Sequence, residues 1–243
     1  MARIGLQLYS IKEISSIDFL GAIRLAANSG YEGIEFAGFF DTPAEELVKC
    51  MEENNIVPCG SHTSIDLLES NFDATVEYNQ AIGNKYIIVP WIPEEMRNSR
   101  IAWLETAKRF NELNARLKEK GIRFGYHNHA FEFEKYDGSY GFDIFAENTD
   151  SDLLLEIDLY WVEYPGLSAV EYTKKYKDRL ELLHIKDIAD DKTSTEIGSG
   201  NIDWHKIAEE AAETDWFIVE QEHFTIPQEE SIAMSCRYLK ELL

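Results

Sequence analysis

The stretch Arg123–Glu134, RFGYHNHAFEFE, sets two of the chain's six histidines, His127 and His129, straight after a short apolar run. Imidazole titrates near neutral pH and binds divalent metals, so a pair at a strand end suits proton transfer or metal ligation. Similar residue types recur at the ends of other β-like runs. Gln7 and Tyr9 close the first run, Glu35 the second and His62 the third, and Trp91 follows the fourth. Glu156 with Asp158, His184 with Lys186, and Glu220 with Glu222 close the last three. Residues two apart on a strand share a face, so Glu156 and Asp158 point one way, as do His184 and Lys186. Carboxylates on an inward face are costly unless paired or metal-bound. For Glu156 the plain alternative is an ion pair with a neighbour such as Arg123. His127, Asp158, His184 and Glu220 form a ligand set without thiolate, which suits one Mn²⁺, Mg²⁺, Co²⁺, Fe²⁺ or Zn²⁺ ion. His205 falls in a helical run and His223 in a loop, and both are expected at the surface.

The elements that must position these residues alternate strictly. Strand-like runs cover Ile4–Tyr9, Gly33–Phe36, Ile56–Ser61, Lys85–Val89, Ile122–Tyr126, Leu153–Asp158, Arg179–Ile185 and Trp216–Glu220. A helix follows each. The first has Ser16 as its expected N-cap, apolar residues at Phe19, Leu20, Ile23 and Ala27, and a stop at Gly30. Thr42-Pro43 opens the second. Asn71–Ile82, Ser99–Lys120, Tyr140–Asn148, Ser168–Tyr176, Asp203–Ala212 and Pro227–Leu243 are the rest. Strict alternation implies a parallel sheet. Eight units in 243 residues predict a single (β/α)₈ barrel, a TIM barrel, spanning residues 1–243. An open doubly wound sheet would want a glycine-rich turn after strand one, and Leu8-Tyr9-Ser10-Ile11 has no glycine.

Composition narrows the function. A formal net charge of -22 repels nucleic-acid backbones and anionic membrane surfaces, so neither is an expected partner. Three cysteines without CxxC spacing fit a reducing compartment. No basic start with a long apolar core and no membrane-length apolar run is visible, and the cytoplasm is the expected location. With 23 basic residues and no glycine-rich anion loop, a strong phosphate site is not expected.

Taken in order, several motifs resemble the sugar phosphate isomerase/epimerase family, the xylose isomerase-like barrels that include ketose 3-epimerases, inosose dehydratases and endonuclease IV. They are GLQLYS, GYEGIEF, GYHNHAFEF, EIDLYWVEYPG, LLHIKD, GSGNIDW and FIVEQE, together spanning nearly the whole chain. The resemblance implies one divalent metal held by Glu, Asp, His and Glu from strands five to eight. Asp158, His184 and Glu220 match the last three positions. His127 stands where the family has its first glutamate; either it takes over as a neutral ligand, or Glu156 restores the lost charge. The implied activity is on a carbohydrate or polyol bearing a carbonyl, which the metal polarises so that a neighbouring C–H becomes acidic. Glu220 is the expected base, and His127, His129 or Glu156 handles the second proton. His62, Trp91, His129 and Lys186 are expected substrate contacts. Return of the proton to carbon makes an isomerase or epimerase, the expected outcome; loss of a β-hydroxyl makes a lyase or dehydratase, the alternative. A repair nuclease and a barrel without catalysis are lesser alternatives, and a homo-oligomer is compatible with all of these.

Overall fold

A computed structural model describes residues 2–243. Eight parallel strands close into a barrel, each hydrogen-bonded to the next in sequence and the last to the first. They are β1 (Arg3–Gln7), β2 (Gly33–Phe36), β3 (Val57–His62), β4 (Tyr86–Val89), β5 (Arg123–His127), β6 (Leu154–Asp158), β7 (Leu182–Ile185) and β8 (Trp216–Val219). The helices that return the chain are α1 (Phe19–Asn28), α2 (Ala44–Glu53), α3 (Phe72–Ala81), α4 (Arg100–Glu119), α5 (Gly141–Asn148), α6 (Ala169–Tyr176), α7 (Trp204–Glu210) and α8 (Gln228–Leu242). The fold is the expected (β/α)₈ barrel.

Its apolar residues divide in two. A large buried cluster joins the outer strand faces to the helices, with Phe36, Phe110, Phe124, Phe145 and Leu183 among its members. A second, small cluster of Cys59, Ile88, Leu182, Trp216 and Ile218 lies on the other strand face. Leu182 precedes His184 by two residues and Ile218 precedes Glu220 by two, so this cluster is the floor beneath the polar strand ends. Trp216 fills the space that Gly33 leaves open: a Cβ there would lie 2.5 Å from the indole.

Several boundaries differ from the sequence-based expectation, each for a local reason. β1 stops at Gln7 because the Gln7 side chain accepts a bond from Tyr9 N (2.9 Å) and turns Leu8–Ile11 into a 3₁₀ segment. Residues 179–181 do not join β7; the Arg179 guanidinium instead donates to Leu153 O (2.9 Å), Ala146 O (2.7 Å) and Thr149 Oγ1 (2.9 Å). Asp18, not Ser16, caps α1, accepting from Gly21 N at 2.8 Å, and Ser16 lies in a short helix, Lys12–Ile17. Ser99, Ser168 and Asp203 cap their helices as expected. The GSGNIDW turn wraps the buried Asp187 carboxylate, which accepts from Gly198 N, Gly200 N, Ile202 N and Trp204 Nε1 at 2.8–3.2 Å. Among the described residues no helix is long and apolar enough to cross a membrane.

Candidate active site at the barrel mouth

Strand register brings the polar strand ends together. Gln7 lies beside Glu35, His127 beside Glu156, and Asp158 beside His184. Gly60 stands opposite Glu35, and a Cβ there would come within 2.3 Å of Glu35 Oε1, so β3 needs glycine to admit that carboxylate. Gln7, Glu35, Glu156, Asp158 and His184 have no solvent exposure, and His127, Lys186 and Glu220 have almost none.

His184 is the hub. Its Nδ1 lies 3.0 Å from Glu220 Oε2, and its Nε2 lies 2.7 Å from Glu35 Oε2 and 3.3 Å from Glu156 Oε2. Glu156 Oε2 also receives His62 Nε2 at 2.8 Å and faces His127 Nδ1 at 3.3 Å. Arg123 is not its partner: that guanidinium pairs with Glu181 at the far end of the strands. Asp158 Oδ1 caps the short helix Leu159–Glu163 through Tyr160 N (3.0 Å) and Trp161 N (3.4 Å), leaving Oδ2 free. Asn128 clasps the Asp158 backbone, accepting from its N–H at 3.0 Å and donating to its carbonyl at 3.3 Å.

This crowding separates the acidities. Burial pushes Glu156 up to about 7, helped by the Glu35 charge. Burial also carries Asp158 to about 7, with Glu220 adding and Lys186 opposing. Burial would raise Glu220 too, but Lys186 and His184 outweigh it and hold that carboxyl far below its usual range. For Glu35 the burial penalty is overcome by His62 and His184. His184 is driven well upward, because Glu156 and Glu35 outweigh its desolvation. Burial drives His127 well downward, reinforced by His184 and His62, so it is a neutral imidazole.

Two overlapping sets bring four ligand atoms within 4.8 Å of one another: His127, Asp158, His184 and Glu220, and His62, His127, Glu156 and His184. The donors fit a divalent cation. Asp158 Oδ2, His127 Nδ1, Glu156 Oε1 and Glu35 Oε1 are buried without a hydrogen-bond partner, which is costly unless something positive meets them. The field that pulls His184 toward its charged form attracts any cation.

His62, Lys186 and His129, three more of the expected residues, lie beside this centre. His62 has an 11%-exposed side chain and links Glu156 to a cleft of about 640 Å³ walled by Phe39, Phe40, Leu67 and Tyr78. The Lys186 ammonium sits 4.7 Å and 4.9 Å from the Tyr160 and Trp161 rings and pairs with Glu222. His129 stacks near Phe131 and lies 5.7 Å from Trp161, its ring desolvated to a pKa of about 4. Trp91 is half exposed, and His205 and His223 are at the surface, as expected. Sequence reasoning gave Gln7, Glu35 and Asn128 no role. Glu35 carried a signal, since it lies one residue before the end of β2 on the face that Gly33 shares.

Residues 23–242 match the family model described as a xylose isomerase-like TIM barrel, and the chain belongs to that family. It is 25% identical over 262 residues to an inosose dehydratase of Clostridium botulinum (strain Alaska E43 / Type E3), covering 90% of this chain and 86% of that one. It superimposes on a sugar phosphate isomerase/epimerase from Parabacteroides distasonis ATCC 8503 with a TM-score of 0.84 at 25% identity, covering 99% and 98% of the two chains. The IOLI protein, solved with a zinc atom, shares the fold at 15% identity and a TM-score of 0.78, over 99% of this chain and 97% of that one.

Proposed function

We propose that this protein is a divalent-metal-dependent enzyme that removes a proton beside the carbonyl of a keto-sugar or keto-polyol and expels water. The observation that carries this reading is that one buried network sets two carboxylates in unlike surroundings, Glu220 against His184 and Glu156 against His62, whose ring reaches the cleft. Glu220 stays ionised at every ordinary pH, whereas Glu156 changes protonation near 7. Groups whose environments push them apart in this way divide into acceptor and donor. Glu220 accepts the proton from carbon. Glu156, through the His62 ring that reaches the cleft, supplies the proton with which the β-hydroxyl leaves as water as its C–O bond breaks. His127 is neutral and takes the place of the first family glutamate. An ion held by His127, Asp158, His184 and Glu220 would supply Lewis-acid polarisation of a carbonyl oxygen. Lys186, fixed between two rings, and His129 and Trp91 at the rim line the approach for hydroxyl groups.

The likeness to inosose dehydratases supports the elimination. The likeness to a sugar phosphate isomerase/epimerase supports a second reading, in which the abstracted proton returns to carbon. Incubation with inososes, free ketoses and 3-keto-glycosides in the presence of Mn²⁺, followed by mass analysis, separates the two. A product lighter by one water is expected. A product of unchanged mass selects isomerisation or epimerisation, and no conversion of any carbonyl substrate refutes the proposal.

A further inference from the structure

We propose that Glu35, itself held by Gln7, is a positioning residue that fixes the orientation and tautomer of His184, so that Nδ1 is the atom offered to the metal. The inference rests on the metal reading above. Two ring nitrogens of His184 point at different groups. Nδ1 lies 3.0 Å from Glu220, a member of the Asp158-containing ligand set. Nε2 lies 2.7 Å from Glu35 Oε2, closer than the 3.3 Å to Glu156 Oε2, which already has His62 at 2.8 Å. An imidazole has one proton to place when neutral, and a carboxylate can only accept. Without metal both nitrogens face carboxylates and the ring holds both protons; where a cation would take the place of the Nδ1 proton, Glu35 keeps the other on Nε2.

The carboxylate is itself fixed. Gln7 Nε2 donates to Glu35 Oε2 at 2.8 Å, and the Gln7 carbonyl is locked in place by Tyr9 N at 2.9 Å. Gln7, Glu35 and His184 are all without solvent exposure, so no water competes for these bonds. Gly60 keeps the space beside Glu35 clear. The set that contains His62 and Glu156 then orients the hub, and the set that contains Asp158 and Glu220 binds. A histidine ligand whose second nitrogen is held by a carboxylate is a recurrent way of raising ligand basicity.

The test is Mn²⁺ and Zn²⁺ affinity by chelator competition on the full chain, read beside the ¹⁵N shifts of His184 in the zinc form. Glu35→Ala and Glu35→Asp, which withdraws the carboxylate by one methylene, are expected to bind about 10- to 100-fold more weakly. Glu35→Gln keeps an acceptor oxygen in place and is expected to bind more tightly than Glu35→Ala, with the Nε2–H tautomer retained. If Glu35→Ala fails to fold, Glu35→Asp decides. Parent-like affinity in Glu35→Asp overturns the positioning role and leaves the metal reading intact. Loss in Glu35→Gln as deep as in Glu35→Ala also overturns it, making Glu35 a ligand by charge. Absence of metal binding by the parent chain overturns both.

Discussion

Asp158→Asn is expected to stabilise the metal-free protein while removing its metal. The substitution keeps Oδ1, which caps the helix at Tyr160 and Trp161, and replaces the unpartnered Oδ2 with an amide. Burial, reinforced by Glu220, lifts the Asp158 pKa from 3.8 to about 7. Three pH units at 1.36 kcal/mol each amount to about 4 kcal/mol, an upper bound for one buried carboxylate. An acid with a raised folded pKa contributes stability below its unfolded pKa and loses it as pH rises through the folded value. The contribution of Asp158 is thus complete below about pH 4 and gone above about pH 7. Asparagine has no such loss. Urea unfolding in chelator should find Asp158→Asn more stable than the parent at pH 8, with the gap growing by about 2–3 kcal/mol between pH 5 and pH 8. Divalent metal should bind at least about 100-fold more weakly, since a charged ligand is lost from the set. A variant less stable than the parent at pH 8 in chelator, by the same margin at pH 5, would refute the view that Asp158 is a carboxylate held in place for a cation.

Three further outcomes follow from the same geometry. His184→Ala should lose metal, because one of the four ligand residues is removed, yet keep the barrel's circular dichroism; full metal occupancy would contradict its role. Metal affinity should rise with pH through 7 and beyond, by about tenfold per unit for each proton displaced, because Asp158 holds a proton below about 7 and His184 holds one above the usual imidazole range; isothermal titration at pH 6 and pH 8 measures this. Saturating Mn²⁺ at about 100 times its dissociation constant should add about 2.7 kcal/mol and raise the melting temperature by about 5–10 °C, which differential scanning calorimetry reads directly.

Much of this was legible in the sequence because barrel chemistry sits at strand ends and strands have a two-residue period. Those two rules pointed to His127, Glu156, Asp158, His184 and Glu220 as strand-end residues; the strand register sets the first four side by side in pairs, and Glu220 meets His184 through its side chain. They do not report distance across the barrel. Nothing in the sequence said that Glu35 on β2 would meet His184 on β7, because that contact depends on barrel closure and on the room left by Gly60. The pairing of Arg123 was obscured for a related reason. Arg123 begins its strand, so it serves the opposite rim, and its carboxylate is Glu181 there. Short elements such as Leu159–Glu163 escaped notice because a buried carboxylate, not helix propensity, nucleates them.

Release of carbon-bound deuterium is the most direct test of the central claim. An inosose and a ketose deuterated at the carbon beside the carbonyl are incubated with the Mn²⁺-loaded protein, the metal is chelated, and ²H NMR follows HDO. Deuterium is expected to pass to water as product forms, with a rate about 10²- to 10⁴-fold lower in Glu220→Gln. Product that keeps its deuterium would mean that no proton is abstracted at this carbon, and would contradict the proposed chemistry.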